Sequence, residues 1–220
     1  MIVDYILYRP SDDMNAIAEW AERLLPSNWL DHIPHTPSKR LPHLLGTMLL
    51  FRRLSLLGYS FMNLPRLYYT PEGKPYFAEQ LYFNVSYTND LIVLAFSERQ
   101  EVGVDVEQIR PISWRSFESY FTHEEWNKIA KLKYPSKKLI NYWVIKEAAS
   151  KLTGEGLEIP YHKIKFKKYT IRLDKVIYHH QALDLTSNCV AHVVTKSPCK
   201  NLLINNVTYQ LAAGLRVVRA

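Results

Sequence analysis

The 220-residue chain carries a formal net charge of +7, with 47% apolar residues and 13% aromatics. That length suits one large or two small domains with their own cores, and the composition excludes an intrinsically disordered chain. The positive balance favours anionic partners through a long-range potential that speeds association.

The opening Met1-Ile2-Val3-Asp4-Tyr5-Ile6-Leu7-Tyr8 reads as a strand, and its lack of a basic start, with Asp4 interrupting it, argues against a signal peptide. Leu44 to Phe51 is the longest apolar tract and is far too short to span a bilayer, so the expected location is the cytoplasm, with no membrane partner. A helix is expected over 12–25 with Ser11 as cap, then a polar Pro-rich loop and a second helix over 41–57. Strands are expected at 67–69, 82–87 and 91–97, with Asn89-Asp90 as the turn between the last two. The second half begins with strand 102–107, continues with helices over 122–133 and 136–152, and closes with strands at 163–168, 171–178, 189–195, 207–211 and 215–218. Strand, helices, then a run of strands thus occurs twice. This order indicates an α+β protein of two similar halves.

Several residues have ordinary readings. Cys189 and Cys199 lack metal-like spacing and read as idle thiols. His32-Ile33-Pro34-His35 has metal-like spacing, but Pro34 breaks a helix and no third ligand is near. Lysines interleaved with Ile164 and Phe166 could form a nucleic-acid patch; a strand with one solvated face gives the same alternation, and no nucleic-acid motif accompanies it. Trp143 reads as a core anchor for its helix.

Two stretches carry chemistry. In Gly103-Val104-Asp105-Val106-Glu107 the acids lie two apart on a strand, pointing to one face about 6 to 7 Å apart at the backbone. In the helix after Ser136, Trp143, Glu147 and Lys151 recur every four residues and stack on one face, with Gly154 and Gly156 as the stop. Three carboxylates and a lysine could converge on a divalent cation beside a phosphate, and oxygen-only ligands favour magnesium. The same spacings also describe a solvated sheet face and a surface ion pair.

The pair Gly103 to Glu107 and Trp143-x-x-Lys146-Glu147-Ala148-x-x-Lys151 resembles the two signature motifs of the 4'-phosphopantetheinyl transferase superfamily. Between them, Tyr120 to Trp126 resembles that family's Phe-rich helix start, and Thr122 with Glu125 independently reads as a capping box. Upstream, Gly73-Lys74-Pro75 and Phe83-Asn84-Val85-Ser86 are similar to elements of its longer, Sfp-type branch. The resemblance implies two α+β halves, residues 1–100 and 101–220, related by a pseudo-two-fold, with the active site in the cleft between them and a monomeric protein. It implies transfer of 4'-phosphopantetheine from coenzyme A to a serine of an acyl or peptidyl carrier protein. Asp105, Glu107 and Glu147 would hold Mg2+, with Glu147 or a metal-bound water as base and Lys151 beside the phosphate. The cofactor-binding set would be Lys39 and Arg40 before the second helix, Gly73, Lys74, Pro75, Ser86, Tyr87, Asp105 and Lys151. Tyr87 stands where the family usually has histidine, so it offers a hydrogen bond but no imidazolium charge. Helix 122–133, with Trp126, Lys128, Ile129 and Lys131, is the expected carrier-docking surface.

Overall fold

Continuous apolar runs such as Leu91-Ile92-Val93-Leu94-Ala95-Phe96 require burial on both faces, and the fold supplies a core on each side of that strand. A computed structural model describes residues 1–8, 14–156, 160–210 and 214–218. The helices are α1 (Met14–Leu24), α2 (Ser27–Leu30), α3 (Pro37–Leu56), α4 (His123–Ala130) and α5 (Ser136–Thr153). The strands are β1 (Ile2–Leu7), β2 (Leu67–Tyr69), β3 (Pro75–Phe77), β4 (Tyr82–Tyr87), β5 (Leu91–Ser97) and β6 (Val102–Gln108). They continue as β7 (Lys165–Phe166), β8 (Thr170–Leu173), β9 (Val176–Leu183), β10 (Cys189–Thr195), β11 (Leu203–Gln210) and β12 (Gly214–Val218).

One sheet has the order β12-β11-β1-β5-β4 and the other β6-β10-β9-β8-β7, with β2-β3 as a separate hairpin. Even-numbered residues of β5, Ile92, Leu94 and Phe96, join Leu44, Leu45 and Met48 of α3 and Ile17 and Ala21 of α1 in one core. Odd-numbered Leu91, Val93 and Ala95 meet Val102, Val104 and Val106 of β6 and Val193 of β10 in a second core between the sheets. The far face of the second sheet packs Val194, Ile171 and Leu173 against Ile145, Ala148 and Leu152 of α5. The layers therefore run helix, sheet, sheet, helix, a mixed α+β arrangement.

β4 and β6 are free edges that meet without a backbone ladder. Val104 N–H donates to Asn84 Oδ1 at 2.9 Å and Val106 N–H to Ser86 Oγ at 3.3 Å. Side chains of the Phe-Asn-x-Ser element thus satisfy donors that the edge of β6 would otherwise leave unpaired.

The structure corrects several expectations. β11 pairs in parallel with β1, from Ile2 with Leu203 to Tyr5 with Asn206, and β12 follows it, so the chain's last strands complete the first sheet. A division into 1–100 and 101–220 does not accommodate that return. Its physical basis is the free edge of β1 and the burial of Val207 in the first core. The second helix begins at Pro37 and not at 41: Pro37 suits the first helical position, and the helix runs through Pro42 despite the lost donor. Lys39 and Arg40 consequently lie inside α3. The expected strand 171–178 is a hairpin, β8 and β9, turning at Asp174 with φ 52°. The expected strand 163–168 shrinks to β7 because Tyr161–Lys163 forms a 3₁₀ turn, while buried Ile164 alternates with exposed Lys163 and Lys165. The Ser11 cap lies outside the described residues. No helix among the described residues is long and apolar enough to cross a membrane.

The second sheet also buries a histidine pair. His180 Nε2 donates to the Lys167 carbonyl at 3.0 Å, which fixes its tautomer. Its bare Nδ1 then faces His192 Nδ1 at 3.4 Å, and His192 Nε2 lies 3.1 Å from the Asn141 side-chain amide. Burial first, then the neighbouring His180, pushes His192 down to about 3. For a depressed imidazole, stability is complete above its unfolded value of about 6.5 and is lost as pH falls from there towards the folded value. Unfolding by urea should therefore show a loss of about 2 kcal/mol between pH 7 and pH 5 from this group. His192→Gln should flatten that slope; an unchanged slope would refute the assignment.

Candidate active site

Asp105 lies at the centre of β6, 4% exposed, with its side chain turned away from the inter-sheet core towards α5. α5 is started by Ser136 and ended by Gly154 in the left-handed conformation, φ 83°, as its sequence indicated. Within it Ala148, Ala149 and Leu152 face the core while Glu147 and Lys151 reach the edge of β6. Lys151 Nζ donates to Asp105 Oδ1 at 2.6 Å and to Ser86 Oγ at 3.0 Å, and Ser86 Oγ donates to the same Asp105 oxygen at 2.9 Å. One serine hydroxyl therefore accepts from the lysine and from Val106 N–H while donating to the aspartate, joining β4, β6 and α5 at a point.

The other Asp105 oxygen, Oδ2, is buried without a partner. An orphaned carboxylate oxygen is costly unless something electropositive reaches it. Glu147 is held above the usual carboxylate range, chiefly by burial and then by Asp105, with the Tyr161 hydroxyl and Lys151 opposing. Glu107 is raised likewise by burial and by Asp105, against Arg110, 4.0 Å away, and Lys151. Three acids thus crowd around one lysine, leaving an excess of negative charge. Among the described residues no three acids are grouped closely enough to hold a metal ion as they stand, and Lys151 is bonded to Asp105 Oδ1. The donors are all hard oxygens, which with the orphaned Oδ2 suits magnesium.

The remaining expected contacts divide. Tyr87, 41% exposed at the end of β4, stands with its ring 5.0 Å from that of His43 and senses Lys151. It lines two cavities: one of about 280 Å³ shared with His32, His43, Tyr69, Gly73 and Pro75, and one of about 400 Å³ shared with Tyr8, Glu107 and Arg110. Gly73 adopts φ 86° in the β2–β3 turn, a conformation natural only for glycine. Lys74 is placed elsewhere: its ammonium donates to the Leu152 carbonyl at 2.6 Å and so satisfies the C-terminal end of α5. Arg40 pairs with Glu22 of α1, and Lys39 is exposed on α3. Ile129 is fully buried and so not free to meet a partner, while Trp126 packs on Trp114 and stays half-exposed; Lys128 is paired with Glu124 at 2.6 Å. The Thr122–Glu125 capping box is present, and Glu125 also pairs with the fully buried Lys146 at 2.9 Å.

Sequence reasoning missed His43 and Tyr161. His43 was discoverable, since it follows Lys39 by one helical turn and its Nδ1 lies 2.8 Å from the Lys39 carbonyl. Tyr161 carried no local signal.

Residues 101–197, which contain Asp105, Glu107, Glu147 and Lys151, match the model of the 4'-phosphopantetheinyl transferase superfamily. That segment is similar to the superfamily. It is 36% identical over 110 residues to the 4'-phosphopantetheinyl transferase AcpT of Escherichia coli K12, covering 46% of this chain and 54% of that protein. The Salmonella typhi AcpT is 35% identical over 122 residues, 53% of this chain and 60% of the relative. The transferase psf-1 of Bacillus pumilus is 28% identical over 162 residues, 61% and 67% respectively. The chain thus spans little more than half the length of the AcpT relatives it matches.

Proposed function

We propose that the chain is a member of this superfamily and transfers 4'-phosphopantetheine from coenzyme A to the serine of an apo acyl or peptidyl carrier protein, releasing adenosine 3',5'-bisphosphate. The observation that carries the reading is the Asp105–Ser86–Lys151 cluster with Glu107 and Glu147 beside it, set within the superfamily segment. The serine oxygen forms a bond to the pantetheine-bearing phosphorus, and the phosphoric anhydride bond to the nucleotide breaks. Glu147 takes the serine proton as general base. Lys151 offers a compact positive charge to the phosphate oxygens once it releases Asp105. Asp105, Glu107 and Glu147 would hold Mg2+, which when bound supplies Lewis-acid neutralisation of the charge on the pyrophosphate.

The cavity between His43, Tyr69, Gly73, Pro75 and Tyr87 is the proposed seat of the nucleotide end of coenzyme A. There Tyr87 and the His43 imidazole face the 3'-phosphate, so a histidine from α3 offsets the one absent at Tyr87. Lys39, Arg40 and Lys74 contribute basic potential at the rim of this arrangement and not the central grip. The helix, sheet, sheet, helix order reads the same from either end, which supports two halves related by a pseudo-two-fold with the reacting cleft where β4 meets β6. Both halves lie in one chain, so the working form is a monomer in the cytoplasm, and its +7 charge draws an acidic carrier.

The test is mass spectrometry of apo carrier protein incubated with this protein, coenzyme A and magnesium. A phosphopantetheine-sized gain on the carrier serine, abolished by chelator, is expected. No gain across fatty-acid, polyketide and peptide-synthetase carriers would refute the proposal.

A further inference from the structure

The hairpin of β2 and β3 is a sheet of its own, three residues on each strand, paired with neither of the larger sheets. Two strands of that length are not stable by themselves in water, so the position of the hairpin depends on what holds its base and its tip. Aromatic rings hold the base: Phe77 packs on Trp29 and on Phe83, with centroids 5.8 Å and 4.9 Å apart. The tip is the turn from Thr70 to Lys74. It is closed by Gly73 N–H donating to the Thr70 carbonyl at 2.9 Å and Thr70 N–H donating to the Lys74 carbonyl at 3.0 Å.

The residues of the hairpin serve two sides. Leu67, Tyr69, Gly73 and Pro75 form one wall of the cavity of about 280 Å³ that also contains His43 and Tyr87. Lys74 lines a different cavity, with Glu101 and Thr153, and its ammonium reaches the Leu152 carbonyl of α5 at 2.6 Å. Its aliphatic stem lies against Gly154, where an added Cβ would stand 3.2 Å from Lys74 Cδ. That carbonyl is among the last of α5, beyond the reach of the helix's own N–H groups, and an ammonium there also complements the helix dipole. A charged donor makes the stronger kind of hydrogen bond. The helix is the firmer partner, because Ile145, Ala148, Ala149 and Leu152 are buried in its core, so loss of the bond would free the hairpin and leave α5 in place. We propose that Lys74 is a positioning residue for coenzyme A: it ties the tip of the hairpin to α5, so that the wall of Tyr69, Gly73 and Pro75 is in place before the nucleotide arrives. The inference rests on the nucleotide seat proposed above, and it makes the helix that carries Glu147 and Lys151 the support of that seat as well.

Lys74→Met keeps the stem and removes the ammonium, whereas Lys74→Arg keeps a charged donor. A wall that must be ordered on binding weakens affinity and not chemistry. In Lys74→Met, calorimetric affinities for coenzyme A and for 3'-dephospho-coenzyme A should both fall about tenfold and agree within about twofold, because the lysine acts on the wall and not on the 3'-phosphate. KM for coenzyme A should rise by the same factor while kcat falls less than about threefold. In ligand-free protein the amides of Thr70 and Gly73 should exchange hydrogen about fivefold faster. Lys74→Arg should recover most of the affinity, and both variants should keep Tm within about 3 °C of the parent. Parental affinity and amide exchange in Lys74→Met would overturn the proposal. So would a loss confined to coenzyme A, which would make the lysine a phosphate ligand, or a fall in kcat as large as the loss of affinity. A parent protein that binds coenzyme A but modifies no carrier would count against the transferase reading alone, with calorimetry still deciding Lys74. A parent that binds neither ligand would overturn both.

Discussion

Glu147→Gln should lower the turnover of carrier modification by about a hundredfold or more at pH 7, while leaving the protein at least as stable as its parent. The two halves of this expectation come from one observation. Glu147 is half-buried beside two other acids, and burial followed by Asp105 raises its proton affinity. An acid whose folded value is raised is one whose charged form the fold disfavours, so its stabilising contribution is absent at pH 7 and the charge is a net cost there. Glutamine keeps the shape and removes the repulsion, so thermal unfolding without metal should occur at the same temperature or slightly higher. It also removes the proposed proton acceptor and magnesium ligand, so chemistry should collapse as stability holds. Such opposition is the mark of a functional charge and not a structural one. Normal turnover with magnesium saturating would refute both roles assigned to Glu147, and a large fall in Tm would refute the electrostatic account.

The site was legible in sequence to the extent that local periodicity dictates it. A period of two aims Asp105 and Glu107 alike, a period of four aligns Trp143, Glu147 and Lys151, and Gly154 stops the helix that carries them. The strands at 67–69, 82–87, 91–97 and 189–195 were readable for the same reason, each being a short apolar or alternating run between turn residues. What local pattern does not encode is which elements meet. Ser86 was expected to touch the cofactor, whereas its hydroxyl also closes the edge of β6 and binds Asp105, a contact nineteen residues apart. Lys74 has the same composition-level signature as a phosphate lysine, yet a helix end with unsatisfied carbonyls lies nearer and takes it. The return of β11 to β1 depends on a vacant strand edge two hundred residues away. Ile129 shows the converse: a helix amphipathic in sequence was read as a docking face because nothing local says which side the aromatic cluster of Trp114, Phe117 and Phe121 would cover.

Gly103→Ala should destabilise the protein by about 3 to 5 kcal/mol, a fall of roughly 10 °C in Tm, and should abolish carrier modification. Gly103 lies in β6 between Val102 and Val104, whose side chains fill the core between the sheets, so its own Cα faces α5. A methyl group added there would overlap the Ala148 carbonyl oxygen and come within 2.6 Å of Leu152 N and 2.8 Å of Leu152 Cβ. The first two are backbone atoms of a helix, and no rotamer change moves them. Relief requires β6 and α5 to separate, against the packing of Ala148 and Leu152 with Ile145, Ile171 and Val194. It also draws apart the two elements whose contact at 2.6 Å joins Lys151 to Asp105. The glycine two residues before the aspartate is therefore what allows a strand carboxylate and a helix lysine to share one site. Gly58→Ala is the control: that glycine turns at φ 92° with open space around it, so the cost should stay near 1 kcal/mol with the chemistry untouched. If urea denaturation gave the two variants equal losses, the backbone contact between β6 and α5 would not be what sets the geometry of the site.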